Sequence, residues 1–468
     1  MSYFKPLVLA IILCLLALPV LSLAQDELII ISPHPEGIET EFGKNFEKWY
    51  AAETGRSVKT DWRDVGGTSS NYRFIESEFK RVPDGIGIDI FFGGGTDNYL
   101  RLSNMGWLHA YKLPGTQLEQ MTQSFQGIPL YDTEYQWYGA ALSSFGIMYN
   151  EELRELLKLP KATAWEDLGN LELLGRIGAA DPRESGSAHM VYEIILQTLG
   201  WEDGFALLTK LGGNVRGFSA GANAIPTDVV AGQVIYGLAI DFYAYGQIAV
   251  VGADKIKYVV PADGAVVTAD PIAILKGAPN LPVAEKFLEF VLSEDAQKLW
   301  MLRNKPTKAQ LDEAEDNPEK RSVLNKTTDP EGPEWKGGLN RASVLPALYD
   351  KLGERCIVPN PFAMEGTPFQ YDSKKGGTRW NIVNDLFGIL IIDSHKDLVN
   401  AWKAIQKCKD PAKRDAAIAV LTQMPITEKE AMALASNAWK DPTVRNEKIK
   451  EWGQFAKAKF KEARNLAK

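Results

Sequence analysis

Cysteine, histidine and excess positive charge are all scarce in this sequence. Three cysteines in 468 residues are too few for a disulfide-built domain. Cys14 falls in an N-terminal apolar run, which leaves Cys356 and Cys408 to the folded chain. Their spacing is equally compatible with a disulfide in an oxidising compartment and with two free thiols. The four histidines, His34, His109, His189 and His395, are scattered and give no zinc-ligand spacing. Lys plus Arg number 52 against 60 Asp plus Glu, a net charge of −8. That balance excludes a general nucleic-acid binder, which concentrates positive charge against phosphates, but not a local basic pocket for one small anion. There is no Gly-x-x-x-x-Gly-Lys-Ser/Thr loop, no His-Glu-x-x-His and no dinucleotide fingerprint after a strand, so no resident cofactor or metal is expected. Internal repeats and low-complexity tracts are also missing, as is any long apolar run beyond the N-terminus.

What is present is the composition of an ordinary globular protein, 45% hydrophobic and 24% charged. Its length suits about three domain-sized units, or two large lobes with an extension. Residues 1–24 read as a secretory signal: Lys5, an uncharged apolar run from Pro6 to Leu21, then Ser22-Leu23-Ala24 before the polar Gln25-Asp26-Glu27. The apolar run is short for a bilayer span of about 20 residues, and Leu13 before Cys14 is too bulky for lipoprotein processing. The expectation is cleavage near Ala24 and an exported, soluble mature protein of net charge −9.

Strand, polar loop and helix then alternate. Strands are expected at Leu28–Ile31, Val58–Val65, Ile88–Phe92, Tyr138–Asn150, Arg176–Ala180, Val234–Ile240, Ile256–Val260 and Ile272–Leu275. Helices are expected between them, among them Ile38–Thr54, Asn71–Lys80, Ala188–Leu199 and Val283–Ser293. This alternation is the signature of an α/β fold with a mostly parallel sheet. Charged loops with Gly and Pro run from about Asn304 to Arg341, and Asp397 to Lys468 is almost wholly helix-forming.

Several strands end in hydroxyl or glycine residues just before a helix: Ser32, Gly67-Thr68-Ser69, Gly94-Gly95-Thr96 and Ser185-Gly186-Ser187. Any one of these Ser or Thr residues reads as a plain N-cap. Four such loops together point to a shared polar cleft beyond the carboxyl ends of the strands, where helix N-termini favour anions. His34, just after the first strand, suits either anion or metal contact or a solvated loop. Asp241, Tyr243 and Tyr245 follow another strand end, with alternate spacing that places both tyrosines on one face. Gly217-Phe-Ser219-Ala-Gly221 matches a nucleophile-elbow string. The segment before it is a poor buried strand and only His395 follows it, so Ser219 is read as a ligand-contacting loop residue, with an exported serine hydrolase as the alternative.

Three stretches carry a resemblance. Ser143-Ser-Phe-Gly-Ile-Met-Tyr-Asn150 with Ala164-Trp-Glu-Asp-Leu168, Val229-Val-Ala-Gly-Gln233 with Ile235-Tyr-Gly-Leu-Ala239, and Ala269-Asp-Pro-Ile-Ala-Ile274 with Ala284–Ser293 together resemble extracellular solute-binding proteins of ABC importers, in the ferric-iron and organic-anion branch. The resemblance covers about residues 26–305. It implies a two-lobed type II periplasmic-binding-protein fold, with residues 26–137 and 251–330 as lobe one, 138–250 as lobe two and 331–468 as a mostly helical C-terminal extension packing on the lobes. It implies a monomeric non-enzyme that captures a small anionic or polar solute and hands it to an inner-membrane ABC permease. His34 matches the histidine of iron binders, and Phe242-Tyr243 takes the place of their paired tyrosines. One of the pair is therefore Phe, which favours an organic or phosphorylated anion over the alternative, ferric iron. The expected ligand-binding set is Ser32, His34, Thr68, Ser69, Gly95, Thr96, Ser144, Ser185, Ser187, Ser219, Asp241 and Tyr243.

Overall fold

A computed structural model describes residues 25–302, 339–363 and 369–468, apart from 126, 265 and 437. The expected signal segment and most of the charged loops before Arg341 lie outside the described residues.

The first half of the chain alternates β1 (Asp26–Ile31), α1 (Glu36–Thr54), β2 (Val58–Arg63), α2 (Thr68–Arg81), β3 (Ile90–Phe92) and α3 (Thr96–Asn104). The long β4 (Tyr138–Asn150) is followed by β5 (Ile177–Ala180), α4 (Gly186–Leu199), α5 (Trp201–Asn214), β6 (Val215–Ser219), β7 (Tyr236–Ile240), α6 (Asp241–Val251), β8 (Ile256–Val259) and β9 (Val267–Leu275). Helices α7 (Leu281–Val291) and α8 (Glu294–Met301) close this part. The C-terminal part contributes α9 (Ser373–Phe387), α10 (His395–Lys407), α11 (Pro411–Leu421) and α12 (Pro442–Leu466).

The strands run in the order β2-β1-β3-β9-β4-β7-β5-β6, with β8 also on β4. Pairing is parallel at both ends, β1 with β2 and β3 on one side and β5 with β6 and β7 on the other. It is antiparallel in the middle, where β9 meets β3 and β4, and β4 meets β7 and β8. The sheet is therefore mixed, not mostly parallel. A chain that leaves one half for the other and returns must run back against itself where it crosses.

β4 is that crossing. Its first half pairs with β9 from Tyr138↔Ile272 to Ser144↔Val267, and its second half pairs with β7 from Phe145↔Ile240 to Tyr149↔Tyr236. Every one of its 13 residues is buried. Continuous burial suits a strand covered on both faces, and is why its sequence is apolar without alternation.

Each half has its own core. In the first, the stripe Ile38, Phe42, Phe46 and Tyr50 of α1, spaced one helical turn apart, meets Phe287 and Phe290 of α7 and Trp300 of α8. The Phe42 and Trp300 rings lie 4.3 Å apart and those of Phe46 and Phe287 4.9 Å. In the second, α4 and α5 cover β5 and β7. The C-terminal residues belong to both cores. Val344, Leu345 and Leu348 complete the first, while Phe387, Trp402 and Trp452 complete the second. Helix α9 touches both α3 and α4. Cys356 and Cys408 are free thiols, which decides between the two alternatives left open for them.

Candidate ligand-binding cleft

A cavity of about 420 Å³ lies where the carboxyl ends of the strands converge on the crossing. His34, Thr68 and Gly95 line one wall, Ser185, Ser187, Asn223 and Tyr243 the other, and Ser143, Thr268, Asp270 and Arg341 also line it. Three helices begin on its wall. Gly67 and Gly95 start α2 and α3 and carry no side chain to cap the first turn, whereas Ser185 Oγ accepts the Ala188 N–H of α4 at 3.3 Å. First-turn N–H groups have no intrahelical acceptor and sit at the positive end of the helix dipole.

The glycines before α3 are required by geometry. Gly93 and Gly94 have φ of 100° and 98°. A Cβ at Gly93 would sit 2.6 Å from the His34 ring, and one at Gly94 would sit 2.5 Å from Thr68 Cγ2. Gly94→Ala should therefore lower stability by about 1–3 kcal/mol from backbone strain and displacement of Thr68. Urea denaturation measures it, and an unchanged midpoint would contradict this account of the loop.

At the rim the two walls touch. Arg73 of α2 donates to the Arg183 carbonyl at 2.8 Å and to Glu184 Oε2 at 2.9 Å, just before α4. Both side chains are about half exposed, so this clasp contributes at most about 1 kcal/mol.

Deeper in the cleft is a buried polar trio. The Arg341 guanidinium forms an ion pair with Asp270 Oδ2, and its Nη1 lies 2.9 Å from His34 Nε2. His34 Nε2 is also 3.0 Å from Asp270 Oδ2. Phe242 provides a platform, its ring centroid 3.8 Å from Arg341 Cζ. Burial, with the nearby Arg341 charge, holds the His34 pKa well below its ordinary value, so the ring is neutral. Burial brings Arg341 down to about 10, still a cation at neutral pH. Burial also lifts Asp241 to about 6 against the N–H groups of Ser144 and Phe242. His34 Nδ1, Asp270 Oδ1, Arg341 Nε and Ser143 Oγ are buried with no partner among the described residues, and all four residues line the cavity.

Of the twelve residues expected to bind ligand, His34, Thr68, Gly95, Ser185, Ser187 and Tyr243 line this one cavity. The other six stand one position behind the wall or deeper. Ser32 Oγ accepts the His34 N–H at 3.0 Å, and Thr96 Oγ1 donates to the Ala269 carbonyl at 3.1 Å. Ser144 gives its N–H and hydroxyl to Asp241 Oδ2 at 2.7 and 3.1 Å. Ser69 Oγ is buried without a partner among the described residues. Ser219 donates to the Gly221 carbonyl at 2.8 Å. Val215–Ser219 does form a strand, β6, and His395, the one histidine that follows Ser219 in the sequence, bonds the Gly212 carbonyl at 3.1 Å.

Tyr243 and Tyr245 do not share a strand face. Asp241 opens α6, and two residues on a helix are about 200° apart. Tyr243 lines the cleft, whereas Tyr245 turns to Tyr258, ring centroids 5.4 Å apart. Two residues of the cleft had no local signal. Asp270 lies in an apolar strand that reads as core. Arg341 ends a charged loop and is placed by backbone bonds from its own N–H to the Trp300 carbonyl and from the Leu142 N–H to the Ala342 carbonyl. Among the described residues no group of three or more His, Cys, Asp or Glu could hold a metal.

Two α/β halves joined by crossing strands, with helix N-termini around a cleft between them, are the architecture of the two-lobed type II periplasmic-binding-protein fold. The chain belongs to the family of bacterial extracellular solute-binding proteins, which its residues 88–329 match. It is 26% identical over 159 residues to the phosphoglycerate transport regulatory protein of Salmonella typhimurium, 34% of this chain and 39% of that one. The chain spans less than two thirds of the length of the curated relatives it matches. The periplasmic binding protein AfuA of Actinobacillus pleuropneumoniae, solved with fructose-6-phosphate bound, superposes with a TM-score of 0.57 at 21% identity, over 81% of this chain and 98% of that one. The apo ferric ion-binding protein A of Pasteurella haemolytica gives 0.54 at 15% identity, over 79% and 98%. At such identities these structures share the fold alone.

Proposed function

We propose that this protein is the periplasmic solute-binding subunit of an ABC importer, exported after signal cleavage near Ala24 and working as a monomer with an inner-membrane permease. In this reading residues 26–137 and 251–330 form lobe one, 138–250 lobe two, and 331–468 an extension across both. No helix among the described residues is long and apolar enough to cross a membrane, which is compatible with this reading. The solute is a small organic or phosphorylated anion, bound by Thr68, Gly95, Ser185, Ser187, Tyr243 and His34, with Ser32 accepting the His34 N–H and Ser69, Thr96, Ser144, Ser219 and Asp241 standing behind the wall.

The observation that carries this reading is the meeting of three helix N-termini on one cavity, two of them uncapped. Such ends present N–H donors and partial positive charge to an oxyanion. The fructose-6-phosphate of AfuA and the phosphoglycerate in the name of the Salmonella relative fit the same ligand class. Ferric iron fits less well. Phe242 offers no phenolate, and it faces a guanidinium whose charge opposes a trivalent cation.

Trapping without chemistry has a thermodynamic signature. A ligand that binds only the folded protein stabilises it by RT ln(1 + [L]/Kd), about 2.7 kcal/mol at a hundredfold excess over Kd. Differential scanning fluorimetry with sugar phosphates, phosphoglycerate and organic acids should show a rise in Tm, and each solute should be recovered unchanged. Native mass spectrometry of the protein as purified should show an organic mass. A bound iron mass, or no stabilisation by any anion, would sink the reading.

A further inference from the structure

The C-terminal part places one cation in the cleft, outside the segment matched to the family. Arg341 is 4% exposed and, among the described residues, is paired through Nη1 to Asp270 and His34, while its Nε has no partner there. Its plane is fixed by Phe242 on one side, with Trp300 5.4 Å from Cζ. A guanidinium held in one orientation with a free N–H edge is prepared for an oxyanion at little entropic cost. Because Asp270 neutralises part of its field, a solute meets less than a full positive charge.

We propose that Arg341 is the residue that selects the solute for negative charge, and that Asp270 sets how strongly that selection acts. This rests on the cleft being an anion trap, as argued above, and adds which side chain discriminates. The helix N-termini supply partial charges that suit any oxyanion or polar group. Among the described residues that line the cavity, Arg341 supplies the one cationic side chain, so it separates a phosphorylated solute from its uncharged parent. Asp270 opposes it, and the two variants should therefore act in opposite directions. A purely structural role for the pair predicts that both weaken binding.

The test is isothermal titration calorimetry of wild type, Arg341→Gln, Arg341→Lys and Asp270→Asn with fructose 6-phosphate and glycerol 3-phosphate, each beside its uncharged parent, fructose or glycerol. Folding is checked by circular dichroism. Arg341→Gln should weaken the phosphorylated probe by about 10- to 100-fold, as expected for loss of a charge-assisted hydrogen bond, and leave the uncharged one little changed. Arg341→Lys should recover part of the loss, and Asp270→Asn should bind the phosphorylated probe more tightly than wild type. If Arg341→Gln binds like wild type, or if Arg341→Gln and Asp270→Asn weaken binding alike, the inference fails while the anion trap stands. If wild type binds neither phosphorylated probe, the inference falls, and the anion trap falls with it only when no organic acid stabilises the protein either. Should Arg341→Gln not fold, the Asp270→Asn result decides, with tighter binding in support and unchanged or weaker binding against.

Discussion

Arg379→Met should destabilise the protein by about 3–5 kcal/mol, with a correspondingly lower urea midpoint. Arg379 of α9 and Glu193 of α4 are both fully buried and joined by a bidentate pair, with Nε at 2.9 and 3.1 Å from the two carboxylate oxygens. Burial raises the Glu193 pKa even against the Arg379 charge, so the pair is held at a desolvation cost. Removing only the cation strands a carboxylate in the core, whereas replacing both partners removes the cost and the gain together. The double variant Glu193→Leu/Arg379→Met should therefore recover most of the loss. Equal losses in the single and the double variant would show that the arginine acts through packing alone. The pair also attaches the C-terminal part to the second half of the fold, beside the cleft residue Met190, which Tyr371 touches at 3.6 Å.

The second large effect is a pH dependence. Asp97 of α3 is buried, with Oδ2 3.3 Å from the Tyr371 hydroxyl. Burial and then the Glu193 charge raise its pKa to about 7, against the Tyr371 bond and Arg101. The folded protein thus keeps this proton up to about pH 7, while the unfolded chain loses it near the ordinary Asp value of about 4. Between those values the folded state binds more protons, so the stabilisation is complete below about pH 4 and is lost as the pH rises through 7. Asp97→Asn stays neutral and should be more stable than wild type at pH 8, by up to about 4 kcal/mol for three pKa units, and nearly equal to it at pH 4. Urea midpoints at the two pH values measure this, and a variant that loses stability at pH 8 would contradict it. Asp241, raised to about 6, and Glu39, raised to about 7, titrate with the same sign and leave a residual slope in the variant.

The elements themselves were legible because each is a local pattern. Tyr138–Asn150 reads as a strand from its apolar run, and α1 from its four-residue aromatic stripe. The serine and glycine loops were legible for the same reason, and half of the expected residues do line one cavity. Where the reading slipped, a local pattern was compatible with two periods. Asp241 to Tyr245 continues an apolar run and looks like the end of a strand, but the Asp241 carboxylate takes the Phe242 N–H at 2.7 Å and a helix starts there. Ser32 just after β1, Ser144 of β4 and Ser219 of β6 lie beside the cleft, yet the hydroxyls of all three are engaged by their own neighbourhood, which no spacing records.

The sequence by itself determined the α/β alternation, the strand at Tyr138–Asn150 and the hydroxyl-rich strand ends, because each of these is written in residues a few positions apart. Only the tertiary structure decided that the sheet is antiparallel at its centre, that the C-terminal helices complete both cores, and that Arg341 comes to rest against His34 and Asp270, 307 and 71 positions away. The physical reason is that a charge is buried only where its partners gather. Those partners here come from three distant segments that meet at the crossing of β4 and β9.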